Sequence, residues 1–283
     1  MAGIILGCGP AADAGIDGHP GSDGGAVTVD GGAITSDGMA GDNGDDDTDA
    51  RPQPENAFVY AHTDEALYRI DPDDLSFTLV GNFSGVENVR GITDIALDKD
   101  GNMYGVAFDE VYRIDPNTAA ATKLSDLSDQ LNSLSFVPDP DDPAHEILVA
   151  AADSGGKVLK IDPMTGATTE IGNYGDDGGA LDSSGDIVYV KDLGILATVT
   201  VGGSETDYLI RVDPQTFQGT VIGDTGFVDV FGLGFWGNQV YGFTDESEFI
   251  LIDLATGKGT LTEAPALRWW GAGVTTRAVV SPE

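Results

Sequence analysis

Acidic side chains dominate the groups that could do chemistry, since the chain has 48 Asp and Glu residues against 13 Lys and Arg and 3 His. Acids follow several short β-rich segments at comparable points of a repeated pattern, and this recurrence would gather them at one edge of the fold. Carboxylate oxygens so arranged are ligands for a hard cation, which makes calcium a candidate; no other cofactor is expected. The predicted rim consists of Asp64, Asp109, Asp153 and Asp245, and one further repeat offers Asp192 or Asp207.

A second group of residues combines two arginines with aromatic and acidic side chains, in loops that lead to the same edge. Arginine beside aromatic rings is typical of sites that hold a polar small molecule or a peptide. We predict that this edge binds such a ligand, or an unknown protein. The predicted contacts are Arg90, Asp94, Tyr174, Asp176, Phe227, Asp229, Arg268 and Trp269.

Motifs for catalysis are sparse. His62 and His145 are isolated, the single cysteine is Cys8, and G-x-S-x-G does not occur. G-L-G-F-W-G, residues 232–237, would signal dinucleotide binding only between a strand and a helix, whereas here it is predicted to be a strand itself. D-K-D-G-N, residues 98–102, is predicted to be a hairpin turn, because its glycine comes too early for a calcium loop.

The elements that must position these residues are repeats. Y-R-I-D-P occurs from Tyr68 and from Tyr112, and close variants occur further along the chain. The repeated aspartates are 40 to 51 residues apart, and a threonine follows each of them seven positions later. The aspartates are Asp71, Asp115, Asp162, Asp213 and Asp253, and the threonines are Thr78, Thr122, Thr169, Thr220 and Thr260. Each copy predicts a β-hairpin whose strand ends at the aspartate, which is followed by Pro in all copies but the last, and whose turn is closed by the aspartate side chain.

The spacing of the repeats predicts a five-bladed β-propeller over residues 58–280, because four short strands with their connections fill about 44 residues. The first copy has room for three strands, so W-W-G-A-G-V-T-T-R, residues 269–277, is expected to supply the missing strand and close the ring. Small residues at Ala96, Ser135, Gly234 and Gly273 are expected to line the axis. The inner strand of blade four is either near 179–182 or near 186–190.

A propeller glycosidase would need two carboxyl groups about 5 to 9.5 Å apart at the channel. Asp94 is the acid that we place on an inner strand, while Thr93, Asn132 and Ser133 occupy much of the remaining lining. No catalytic residue is therefore predicted. A secreted enzyme of glycosidase, lyase or lactonase type remains the alternative to a binding or scaffold module.

The hairpin pattern resembles bacterial propellers with repeated Y-R-I-D-P-x-T-G-x-x-T-x-I-G segments, a largely uncharacterised group of secreted or lipid-anchored proteins. This resemblance implies a propeller outside the cytoplasm and transfers no catalytic residue. The start of the chain, I-I-L-G-C up to Cys8, resembles the end of a bacterial lipoprotein signal, although no basic segment precedes it. The resemblance implies a lipid on Cys8.

Residues 9–57 are rich in Gly and Asp and poor in aromatic residues, which predicts a disordered linker between a truncated signal at 1–8 and the propeller. The net charge of −35 argues against nucleic acid as a partner. We therefore expect a monomer of the bacterial cell envelope, anchored to the outer membrane or secreted, that contacts membrane only through the lipid.

Overall fold

The computed structural model describes residues 58–152 and 154–278, which belong to the second of two compact units, 50–283. The described part is all-β and forms five antiparallel sheets of four strands each. It contains no helix that is long and apolar enough to cross a membrane. Cys8 and the predicted linker lie outside the described residues, as does Asp153.

The strands run in chain order as follows: β1 (Val59–His62), β2 (Ala66–Ile70), β3 (Phe77–Asn82), β4 (Asp94–Leu97), β5 (Met103–Val106), β6 (Phe108–Ile114), β7 (Ala121–Leu131), β8 (Ser135–Pro138), β9 (Glu146–Ala151), β10 (Lys157–Ile161), β11 (Thr168–Asn173), β12 (Leu181–Val190), β13 (Gly194–Val201), β14 (Tyr208–Val212), β15 (Gly219–Asp224), β16 (Val230–Trp236), β17 (Gln239–Thr244), β18 (Phe249–Ile252), β19 (Gly259–Thr262) and β20 (Gly271–Val274). Blade one is β20-β1-β2-β3, and blades two to five are β4 to β7, β8 to β11, β12 to β15 and β16 to β19.

The ring closes as the sequence predicts. β20 pairs antiparallel with β1, with Val59 opposite Val274 and His62 opposite Gly271, so the last strand becomes the inner strand of the first blade. The inner strand β20 contacts β4 on one side and β16 on the other. The five-bladed propeller expected from the repeats is therefore confirmed.

Each repeated aspartate closes a tight hairpin between the two outer strands of its blade. Its carboxylate accepts a hydrogen bond from the backbone N–H two residues later; the N···O distances are 2.8 to 3.1 Å for Asp71, Asp115, Asp162, Asp213 and Asp253. The residue four positions after each aspartate has a positive φ, and its N–H bonds the aspartate carbonyl: Leu75, Ala119, Gly166, Phe217 and Gly257. These turns define the lower face of the ring. The upper face is the opposite one, where the inner strands begin.

The repeated threonines lie on the outermost strands, opposite the long side chain that precedes Ile-Asp-Pro in most copies. Arg69 faces Thr78, Arg113 faces Thr122 and Lys160 faces Thr169. The regular spacing therefore reflects the register of a repeated hairpin and not a catalytic motif.

The core consists of apolar layers between neighbouring blades. Between blades one and five, the fully buried Trp269 packs against Phe77, Tyr68 and Phe243, with ring centroids 5.4 to 5.7 Å apart. The layer continues with Phe249, whose ring is stacked on Phe243. Aromatic burial on this scale contributes strongly to the docking of the closing blade.

Small residues line the narrow axis, as expected. Gly273, Ala96, Ser135 and Gly234 occupy matching register positions opposite Tyr60, Tyr104, Val149 and Tyr241 of the second strands. In blade four the matching residue is Val188, opposite Leu196. β12 includes the second half of the first segment that the sequence left open and all of the second segment. It is bulged between Ser183 and Ile187, and the part from 186 to 190 takes the axial position.

Candidate functional site

A ring of five equivalent positions lies near the upper end of the inner strands, two residues before the axial small residues. Blades one, three and five contribute Gly271, Ser133 and Gly232, which are small, whereas blades two and four contribute Asp94 and Asp186. A hydrogen bond from the N–H of Ala151 to the hydroxyl of Ser133 holds Ser133 at the same height along the axis as the other four residues. The two carboxyl groups meet across the axis and are hydrogen-bonded to each other.

Backbone N–H groups from several blades point at this carboxyl pair. Asp94 accepts from the N–H of Ile95 at 2.8 Å and from that of Leu134, in blade three, at 2.5 Å. For Asp186, the donors are Ile187 at 2.6 Å, Leu233 of blade five at 2.7 Å and Ala272 of blade one. The pair therefore links all five blades at one point on the axis.

Burial explains the electrostatics of the pair. Asp94 is 0% exposed and Asp186 is 1% exposed, and loss of hydration raises the pKa of both carboxyl groups well above the ordinary range. A second negative charge beside the first is costly, while the surrounding N–H groups stabilise one carboxylate. The pKa of Asp186 is raised to about 8 and that of Asp94 well above its ordinary value, so the pair is largely protonated at neutral pH.

His62 of β1 lies next to the pair and is also fully buried. Its Nδ1 donates to the carbonyl of Thr63 at 2.9 Å, and its Nε2 is 3.9 Å from Asp94 Oδ1 without a hydrogen-bond partner among the described residues. Burial lowers the pKa of His62 to about 4, so the ring is neutral. A Cβ on Gly271 would collide with both Asp94 Oδ1 and His62 Nε2, so a glycine is required between them.

A cavity of about 200 Å³ opens at the upper face directly above this ring. Each blade contributes to its wall the residue that immediately precedes its position in the ring, and blade two adds a sixth residue. The lining residues are Thr93, Asn132, Gly185, Phe231, Trp270 and Phe108. Phe108 has a φ of 56°, a strained conformation of the kind found at functional sites. The wall is thus mainly aromatic, with one hydroxyl and one amide.

The separation of the Asp94 and Asp186 carboxyl groups tests whether the pair could hydrolyse a glycosidic bond. Blade four, whose inner strand the sequence left open, adds a second inner-strand carboxylate, because Asp186 occupies the position that matches Asp94. However, the two groups are in direct hydrogen-bond contact, whereas a glycosidase holds its pair about 5 to 9.5 Å apart around the reacting bond or water. The pair therefore does not have glycosidase geometry.

Two of the predicted ligand contacts are arginines on the upper face. Arg90 is exposed, and its guanidinium carbon lies 4.8 Å from the centroid of the Phe108 ring, at the edge of the cavity. Arg268 forms a bidentate ion pair with Asp245, whose side chain is 15% exposed. Of the two, Arg90 is the one without an ion pair among residues 58–278.

The structure separates most of the other predicted contacts from the cavity. Trp269 is buried in the layer between blades one and five, and Tyr174 is 1% exposed within the core of blades three and four. Asp176 and Asp229 are exposed in the loops of the upper face, where the carbonyl of Asp229 accepts from Asp245. The ring of Phe227 packs over Gly259 of β19. Only Asp94, beneath the cavity, and Arg90, at its edge, belong to the axial site.

The three described members of the predicted acidic rim, Asp64, Asp109 and Asp245, have separate surroundings. Asp109 accepts from the Asn88 amide at 3.0 Å, Asp245 pairs with Arg268, and Asp64 is exposed. No group of three or more metal-ligating side chains occurs within the described residues. Calcium at this face stays a prediction, which calorimetric titration of the full chain with calcium tests.

The two acids offered for blade four lie at opposite ends of it. Asp192 is exposed in the lower turn between β12 and β13, away from the predicted rim. Asp207 is 3% exposed near the upper face, and its carboxylate accepts from the N–H of Val230 at 2.7 Å. Burial raises the pKa of Asp207 to about 6.

Several residues of the axial site were not predicted from the sequence, namely His62, Asp186, Gly185, Phe231, Trp270 and Phe108. A signal for one of them was present: T-D-I-A-L from Thr93 and G-D-I-V-Y from Gly185 align on Asp-Ile. The bulge in β12 hid this match, because it lengthens the inner strand of blade four. The equivalence of Phe231 and Trp270 with Thr93 requires the register of the inner strands.

Comparison with known proteins supports the propeller fold but assigns neither a family nor a function. No protein-family profile and no curated protein matches the sequence. A nidogen/laminin complex contains a chain that superposes with a TM-score of 0.51 at 10% identity, over 79% of this chain and 98% of that one. TolB from Acinetobacter baumannii gives 0.44 at 14%, over 78% of this chain and 55% of TolB. The Dos1 propeller gives 0.39 at 14%, over 74% of this chain and 56% of its own.

Proposed function

We propose that the protein is a binding module whose ligand, a polar small molecule or the end of a peptide, enters the axial cavity of the upper face. The observation that carries this proposal is the construction of the cavity, because every blade contributes the same position to its wall. Concave, mainly apolar sites with a few polar groups are the usual form of small-ligand sites. The enzyme alternative has less support, since the touching carboxyl pair leaves no space for a reacting bond between its members.

A screen for ligands tests the proposal. The full chain is incubated with amines, carboxylates, neutral sugars and short peptides, and the melting temperature is followed, because a ligand that binds the native state raises it. We expect a saturable shift with at least one class and its loss in Trp270→Ala. Trp236→Ala, at the lower end of inner strand β16, is the matched control and should retain the shift. Absence of any shift, or shifts that are insensitive to Trp270→Ala and Phe231→Ala, would refute the cavity as the site.

We further propose that the module is tethered outside the cytoplasm by a lipid on Cys8, as the I-I-L-G-C segment and the Gly- and Asp-rich composition of residues 9–57 suggest. In this role the domain would display its cavity at the cell envelope and work as a monomer. Intact mass of protein extracted from bacterial membranes should show an added diacylglyceryl group. Cys8→Ser should lack that mass and leave the membrane fraction, and an unmodified Cys8 in the wild-type chain would contradict the tether.

A further inference from the structure

The walls of the axial cavity are suited to a cation with an apolar body. Phe108, Phe231 and Trp270 surround the space, and the faces of such rings attract positive charge. One ring already does so, since the guanidinium of Arg90 lies over Phe108. No Lys or Arg of the described residues lies over the rings of Phe231 and Trp270, which leaves these two side chains to a ligand.

An acidic pair lies directly beneath the cavity. Asp94 and Asp186 lie one residue below the lining residues Thr93 and Gly185, and the five N–H groups that point at their carboxyl oxygens stabilise one carboxylate. Neither carboxyl group forms an ion pair with a Lys or Arg among the described residues, and the raised pKa of both keeps the pair protonated at pH 7 while no cation is bound. A cation held above the pair would favour loss of a proton from it, in a site largely screened from water.

Two buried polar atoms without partners at this end of the axis are hydrogen-bond acceptors, and the hydroxyl of Ser184, beside Gly185, can donate or accept. Asn132 Oδ1, on the wall, and His62 Nε2, on the floor beside Asp94, are buried and have no hydrogen-bond partner among the described residues. Because His62 Nδ1 donates to a carbonyl, Nε2 carries the lone pair. A ligand that only donates hydrogen bonds complements both atoms, and an ammonium group is such a donor.

We infer that the axial cavity selects a small ligand with a protonated amine on an aromatic or aliphatic body, an inference that rests on the proposed binding function and specifies it. The amine points to the floor, toward Asp94, Asp186 and the free acceptors, and the body packs against Phe231 and Trp270. Arg90 lies at the outer edge, where it would favour a carboxylate instead. The competing ligand is thus an anion, and the experiment separates the two.

Three probes of matched size test the inference: benzylamine, benzyl alcohol and benzoate, titrated into the full chain at pH 7 by calorimetry. We expect benzylamine to bind at least tenfold more tightly than benzyl alcohol, a difference of about 1.4 kcal/mol, and benzoate to bind most weakly. Equal affinity for the three would overturn the amine while leaving the cavity as the ligand site. Tightest binding of benzoate would assign recognition to Arg90, and binding of none of the three would also overturn the inference.

A pair that cannot ionise provides the second measurement. The double variant Asp94→Asn and Asp186→Asn nearly keeps the shape of the site but removes the two groups that could become negative beside a bound cation. The preference for benzylamine over benzyl alcohol should fall to less than threefold, while the affinity for benzyl alcohol stays within a factor of about three. Trp236→Ala should retain the full preference. A double variant that folds and still prefers the amine tenfold would refute the role of the carboxyl pair, and if it does not fold, the comparison of the three probes on the wild-type chain decides.

Discussion

Replacement of Asp186 provides the most direct test of the carboxyl pair as the link among the blades. Asp186→Ala removes the acceptor for the N–H groups of Ile187, Leu233 and Ala272, which the native structure buries at the axis. Each unsatisfied buried N–H costs about 1 to 3 kcal/mol, so the variant should lose roughly 3 to 9 kcal/mol. That loss is comparable with the whole stability of an ordinary domain, about 5 to 15 kcal/mol. Asp186→Asn keeps one acceptor oxygen and should lose only about 1 to 3 kcal/mol.

The same pair predicts how stability depends on pH. The pKa of both Asp94 and Asp186 is raised in the folded protein, so the native state retains a proton that the unfolded chain has released. The free energy of unfolding should therefore fall as pH rises from about 4 toward the folded pKa, which is about 8 for Asp186, by up to about 1.4 kcal/mol per pH unit for each proton. His62 acts in the opposite direction, since its pKa is lowered to about 4 and its contribution is lost as pH falls below about 6.5. Measurements between pH 7 and 9 avoid its titration.

Urea unfolding followed by circular dichroism, at pH 7, 8 and 9, measures both effects. The wild-type midpoint should decrease over this range, and the decrease should be smaller in Asp186→Asn, which retains one acid in the pair. Asp182→Ala is the matched control, since Asp182 is a half-buried acid of the same strand, and it should follow the wild-type dependence. Equal stability of the Ala and Asn variants, or a wild-type midpoint that does not change with pH, would refute the reasoning.

Three further predictions concern the layers and turns. Trp269→Ala should cost about 3 to 5 kcal/mol in urea unfolding, because the fully buried ring fills the contact between blades one and five; a loss below about 1 kcal/mol would place that contact elsewhere. Gly166→Ala should lower the melting temperature far more than Gly203→Ala. Both glycines have positive φ, but only at Gly166 would the new methyl group collide with the carbonyl of Asp126. Equal effects of the two substitutions would exclude that collision. Asp213→Ala should lower the urea midpoint at pH 7 more than at pH 3. The backbone N–H groups of Gln215 and Thr216 donate hydrogen bonds to the Asp213 carboxylate, which lowers its pKa, so these bonds stabilise the fold only while Asp213 is ionised. An equally large effect of the substitution at pH 3 would argue against this role of the turn.

The fold was predictable because the features that define it are local. A turn aspartate and a threonine at a fixed offset mark every hairpin, with Asp-Pro in four of the five, and these signals are present in one sequence without any information on long-range contacts. Closure was predictable for a related reason, since W-G-A-G-V resembles the other inner strands. Thr93, Asn132 and Ser133 were likewise assigned to the channel from the repeat alone.

The axial site was harder to predict because it depends on the register of strands that are far apart in the chain. Asp94 and Asp186 meet only because blades two and four present matching positions across a narrow ring. The burial that raises their pKa is a property of the assembled ring and leaves no trace in the local sequence. Trp269 shows the reverse error: adjacent tryptophans look alike in sequence, but strand geometry directs Trp269 into the core and Trp270 to the cavity.

The antiparallel pairing of β1 with β20 also determines where the chain enters and leaves the domain. Val59 and Val274 are paired at the lower end of blade one, and Thr275 and Arg277 bond to residues 98 and 100 in the lower loop of blade two. Both ends of the described domain therefore emerge on the side away from the axial cavity. Attachment to a surface through either end would leave the entrance of the axial cavity facing the solvent, where ligands in solution can reach it.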